Sequence, residues 1–104
     1  MHYVVANRVP VTPEYRDTFE ERFRLRAGQV EKQPGFVRME ILRPEDPEGY
    51  YVVLTHWESK QAFENWVGSE DFKAAHRNPM PPEAFRGPGQ FERHEVIISA
   101  EAGG

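Results

Sequence analysis

The residues of this chain whose chemistry combines into something specific are His76, Trp66 and Asn7. The stretch Trp66-Val67-Gly68-Ser69-Glu70-Asp71-Phe72-Lys73-Ala74-Ala75-His76 carries an indole and, ten residues later, an imidazole at the end of a short helical run flanked by alanines. Far upstream, Asn7 interrupts the apolar alternation of the first expected strand. An imidazole can take an axial position on iron, an indole can press on a flat ligand, and an amide can hydrogen-bond oxygen bound to the metal. Together they could form a heme-oxygenating pocket. Each alone has a plainer explanation. A histidine near a helix C-terminus is favoured by the helix dipole, a tryptophan at helical spacing from Phe63 is ordinary core, and an amide can bond neighbouring backbone. Buried between Val5 and Val9, the Asn7 amide would cost about 1–3 kcal/mol unless paired.

Two arginines extend the set. Arg22 and Arg26 fall one turn apart on an expected helix, where cations could hold the propionates of a heme. Residues one turn from Arg22 are Thr18, Phe19, Leu25 and Arg26, and those from Arg26 are Arg22, Phe23, Gln29 and Val30, none of them acidic. The usual pairing along the helix is therefore absent for both. His2, His56 and His94 show no convincing metal-ligand spacing, beyond a weak reading of two of them holding zinc across a hairpin.

Bulk properties narrow the classes. A chain of 104 residues, 38% hydrophobic and 29% charged, fits one globular domain over residues 1–104. A formal charge of -4 argues against nucleic acid, which needs a basic face. The absence of cysteine removes disulfides, thiolate nucleophiles, iron–sulfur clusters and zinc–thiolate sites. The N-terminus shows no charged leader followed by an apolar run, and no segment reaches the length of a membrane span. The expected location is the cytoplasm, with no membrane partner.

These residues need elements to position them. Tyr3 to Val11 reads as a valine-rich strand. Thr12-Pro13-Glu14 opens a helix, with Thr12 as its N-cap, that Tyr15, Phe19, Phe23, Arg26 and Val30 carry to about Lys32 before Pro34-Gly35 stops it. Phe36 to Arg43 and Tyr50 to Trp57 form a hairpin around the polar turn from Pro44 to Gly49. Ser59 caps a second helix through Trp66, and Ser69, after Gly68, caps a further turn from Glu70 to His76. The proline-rich segment Asn78 to Gln90 is expected to be irregular, and Phe91 to Ser99 is the last strand. The order β-α-β-β-α-β is that of an α+β, ferredoxin-like antiparallel sheet with two helices. The strand from Tyr50 to Trp57 is apolar on both faces, although helices cover only one. A homodimer whose two sheets close into a barrel accounts for the second face.

Several segments resemble one family together: Asn7-Arg8, Glu21-Arg22-Phe23 with Arg26, Pro34-Gly35-Phe36, Trp57-Glu58-Ser59-Lys60-Gln61-Ala62-Phe63, Trp66, and Phe72-Lys73-Ala74-Ala75-His76. They are similar to the IsdG-type heme-degrading monooxygenases, a branch of the antibiotic-biosynthesis-monooxygenase superfamily with a dimeric α+β barrel. The resemblance spans nearly the whole chain and is weakest in the loop from Asn78 to Gln90. It implies that heme is bound as substrate through His76, that Asn7 faces oxygen on the distal side, and that Trp66 presses the porphyrin out of plane. Ring opening with dioxygen would then release iron. Electrons would come from an external reductase or small-molecule donor, because no GxGxxG nucleotide fingerprint appears. Two other functions stay open on the residues alone. One is cofactor-independent oxygenation of a small aromatic or quinol with His76 as base. The other is a non-catalytic dimeric binder of heme or another hydrophobic ligand.

Overall fold

Alternating valines, two serine caps and a handful of large aromatics determine the layout seen in the computed structural model, which describes residues 2–25 and 28–103. In chain order the elements are β1 (Tyr3–Val9), α1 (Arg16–Leu25), β2 (Phe36–Leu42), β3 (Tyr51–Trp57), α2 (Lys60–Val67), α3 (Glu70–Ala75) and β4 (Gln90–Glu95). Short 3-10 turns stand at Pro13–Tyr15, Val30–Lys32 and Pro82–Ala84. The strands make one antiparallel sheet ordered β2-β3-β1-β4, the ferredoxin-like topology expected from the element order.

Strand register assigns the faces. Tyr3, Val5, Asn7 and Val9 of β1 stand opposite Trp57, Thr55, Val53 and Tyr51 of β3, and Phe91 of β4 stands opposite Asn7. The helices pack on this face: Phe19 of α1 meets the Tyr51 ring at 4.9 Å, and Phe63 of α2 meets Trp57 at 5.8 Å. On the other face Val4, Ala6, Val52 and Leu54 form an apolar centre. It is edged by ion pairs between Arg8 and Glu92 at 3.0 Å and between His56 and Glu40 at 3.0 Å.

The caps work as their sequence signals suggest. The Ser59 hydroxyl accepts from the Ala62 amide and the Ser69 hydroxyl from the Phe72 amide, both at 3.1 Å. Gly35 adopts φ +82, and a Cβ there would lie 2.5 Å from the Ala62 Cβ, so the chain needs glycine to bring this turn against α2. Trp57, at 0% exposure, and Tyr51, at 1%, anchor the two ends of β3.

Several boundaries differ from the sequence expectation. The first helix does not run continuously to Lys32, because Gly28 takes a left-handed φ of 77 and Val30 starts a separate 3-10 turn. Arg26 lies outside the described residues. Thr12 makes no side-chain cap. Its hydroxyl donates to the Glu83 carbonyl at 3.0 Å and its amide to the Ala84 carbonyl at 2.7 Å. Those bonds, with the isolated bridge between Val11 and Phe85, give the segment 78–90 a fixed course and one 3-10 turn instead of wholly irregular backbone. The first strand closes at Val9, and the last ends at Glu95, leaving Ile97 and Ile98 exposed.

Candidate active site

The core on the helical face is divided. One cluster gathers Tyr3, Val5, Val30, Trp57, Ala62, Phe63 and Trp66 under α2. The other gathers Val11, Phe19 and Tyr51 under α1, with Phe23, Met80 and Phe85 packed against it. Between them, over the middle of β1 and β3, a cavity of about 1040 Å³ opens. Ligand pockets commonly span roughly 300–1,000 Å³, so this one suits a large ligand. Its walls are mostly apolar, from Val5, Val9, Phe23, Met39, Phe63 and Phe72, with polar groups at a few places.

Asn7, Trp66, His76 and Arg22 all line this one cavity. Asn7 reaches it from the centre of β1. Its side chain is exposed to the cavity and not buried among the valines, so the desolvation cost expected from sequence does not arise. Among the described residues the amide has no hydrogen-bond partner, which leaves its NH2 available.

Trp66 comes from the last turn of α2 and is 7% exposed, so it serves the core and the cavity wall at once. His76 follows α3 as its C-cap and is exposed. The Phe72 carbonyl lies 2.8 Å from its Nδ1. A carbonyl only accepts, so Nδ1 carries a proton, and in the neutral ring Nε2 then keeps the free lone pair needed to bind iron. This acceptor stands one helical turn back along the chain. The sequence reading did not anticipate the Phe72 ring, which meets Trp66 edge to face at 5.4 Å and His76 at 4.1 Å. The i, i+4 spacing of Phe72 and His76 was the available signal.

Arg22 points from α1 to the cavity and, among the described residues, makes no ion pair, whereas Arg24 is engaged with Glu20 and Glu21 at 3.2 Å each. Asp17 and Glu21 share that stretch of wall, so the helix presents both signs there. Met80 and Phe85 of the proline-rich segment also line the cavity, a contribution that sequence reading overlooked. The signal was two bulky apolar residues in a stretch otherwise rich in proline, glycine and charge. His56 is occupied by Glu40. Among the described residues no group of three or more His, Asp or Glu side chains comes together to hold a metal ion.

α1 is fixed by a polar cluster behind the cavity. Glu20 accepts from Arg43 at 2.6 and 2.7 Å and from the Tyr51 hydroxyl. The Arg43 and Tyr51 hydrogen bonds hold its carboxyl down at about 2. Burial, followed by the bonded Glu20, pushes the Tyr51 hydroxyl up. Among the described residues no helix is long and apolar enough to cross a membrane.

Residues 2–78 match the family model described as antibiotic biosynthesis monooxygenase. The chain is 40% identical over 83 residues to the mycobilin-producing heme oxygenase of Mycobacterium tuberculosis, covering 77% of this chain and 79% of that protein. It is 35% identical over 75 residues to the heme-degrading monooxygenase of Bacillus thuringiensis, covering 70% and 69%. Its fold superposes with a TM-score of 0.78 on the heme-degrader MhuD from Mycobacterium tuberculosis, a structure with two hemes bound in its active site, at 33% identity over 95% of this chain and 99% of that one. The chain therefore belongs to the antibiotic biosynthesis monooxygenase family.

Proposed function

We propose that this protein is a heme-degrading monooxygenase that takes heme as substrate into the cavity between its two core clusters. The observation that carries the reading is the meeting of Asn7, Trp66 and His76 on one cavity large enough for a porphyrin. The identities of 40% and 35% to proteins named for heme degradation support it.

The residues divide the work by position. His76 would hold the heme iron through Nε2, because its Nδ1 proton is committed to the Phe72 carbonyl. Trp66, held by the core under α2, would present a rigid aromatic surface to a flat macrocycle. Asn7, with no hydrogen-bond partner among the described residues, would offer an amide donor from the sheet side of the cavity to a polar group on the bound substrate. Arg22 supplies an unpaired cation for a propionate, and Arg26, outside the described residues, is assigned the same role from sequence. The mostly apolar walls suit the faces of a large ring. Heme supplies the iron at which dioxygen is activated, and electrons come from an external reductase or small-molecule donor.

The same reading includes a homodimer formed through the uncovered sheet face. Its apolar centre of Val4, Ala6, Val52 and Leu54, ringed by ion pairs, suits a second sheet. The reading also includes release of iron on ring opening and a cytoplasmic location. Titration with hemin followed by ascorbate in air tests the function. A stoichiometric Soret band that is then lost supports it. A stable heme complex under those conditions marks a binding protein, and turnover of a quinol without heme binding marks the cofactor-independent alternative.

A further inference from the structure

Three hydrogen bonds and two ring contacts meet at the corner between α2 and α3. The Ser69 hydroxyl donates to the Trp66 carbonyl at 2.7 Å and accepts from the Phe72 amide at 3.1 Å. The Phe72 carbonyl accepts from His76 Nδ1 at 2.8 Å. The Phe72 ring touches both neighbours, Trp66 at 5.4 Å with an interplanar angle of 83° and His76 at 4.1 Å with 31°. We infer that Ser69 and Phe72 are positioning residues, which hold the His76 imidazole in its Nδ1–H form with Nε2 bare and set the Trp66 indole against the same aromatic ring. Insofar as Nε2 is meant for iron, this rests on the heme reading above.

An ordinary serine cap accounts for part of the arrangement. It satisfies the Phe72 amide, as many helix starts do. It does not account for the second bond, in which the same hydroxyl ties the end of α2 to the start of α3. Nor does it account for a ring shared by Trp66 and an exposed histidine. His76 follows a helix of one and a half turns and is exposed, so without these contacts it would exchange rotamers and tautomers freely. Ligand affinity and ligand geometry both gain when the imidazole is oriented before the ligand arrives.

The substitutions separate the parts. Ser69→Thr keeps both bonds, Ser69→Asp keeps the cap but lacks the donor to the Trp66 carbonyl, and Phe72→Leu keeps the backbone carbonyl while removing the ring. Nitrogen NMR of histidine-labelled protein, without hemin and at a pH where His76 is neutral, reads the tautomer. The wild type and Ser69→Thr are expected to show Nδ1–H, and Phe72→Leu and Ser69→Asp a mixture shifted to Nε2–H. With hemin, Phe72→Leu is expected to raise Kd on the order of tenfold and to give a mixed axial-ligand spectrum. Thermal melts of the same variants show which remain folded, and Phe72→Leu carries the test if the Ser69 variants do not. A wild-type His76 mainly in the Nε2–H form, or a folded Phe72→Leu with wild-type tautomer and affinity, overturns the inference. If hemin binding proves independent of His76, the heme reading fails, and the tautomer measurement still decides the positioning role.

Discussion

Glu20 and Tyr51 join α1 to β3 through a hydrogen bond from the phenol to the carboxylate, on the helix that presents Arg22 to the cavity. With Arg43 as second partner, the Glu20 carboxyl is drawn down from its ordinary 4.5 to about 2. Because the folded value is depressed, the ionised cluster stabilises the fold above pH 4.5, and that contribution is lost as pH falls toward 2. Arg43 is 63% exposed, which limits the effect to roughly 1 kcal/mol. Glu20→Gln is expected to lower stability by that amount at neutral pH, with the gap to wild type closing between pH 4.5 and 2. Urea melts across the range check this, and a gap that stays constant down to pH 2 contradicts it.

Asn7 lines the cavity without supporting the fold. Asn7→Ala is expected to change unfolding free energy by no more than about 0.5 kcal/mol, because the side chain is exposed and unpartnered among the described residues. Heme turnover should fall on the order of a hundredfold, as when a donor to the reacting group is removed. A large loss of stability would show the amide to be structural.

Trp66 behaves in the opposite way. Trp66→Ala removes a 7% exposed indole from the cluster under α2 and is expected to cost about 3–5 kcal/mol. Trp66→Phe should stay folded and still bind hemin, with a changed visible spectrum and slower pigment loss. An unchanged spectrum and rate in that variant would confine Trp66 to packing.

Gly35 is the backbone counterpart. A side chain at its φ of +82 is strained, and the new Cβ would meet Ala62 at 2.5 Å. Gly35→Ala is expected to cost about 2 kcal/mol or more, measured by thermal melting. A variant as stable as wild type would show that α2 yields easily at Ala62.

The pattern of success in reading the sequence has physical causes. Valine alternation, Ser59, Ser69 and Pro34-Gly35 are local signals, so the βαββαβ order was legible. The break at Gly28 was hidden by Val30, which keeps helical spacing from Phe23 and is buried, yet belongs to a separate 3-10 turn. Thr12 looked like a cap because its competing partners, Glu83 and Ala84, lie more than seventy residues away. Asn7 looked buried because period-two reasoning gives a face but not the gap between two core clusters. Met80 and Phe85 were missed for the same reason, since only tertiary structure brings that loop to the cavity wall.

The account turns on His76 as the ligand that heme meets in this cavity. Hemin titration of His76→Ala beside wild type, followed by visible and electron paramagnetic resonance spectra, tests that most directly. Wild type is expected to give a single histidine-ligated species, and His76→Ala to lose that signature and bind hemin on the order of tenfold or more weakly. Identical spectra and affinities for the two proteins would contradict it.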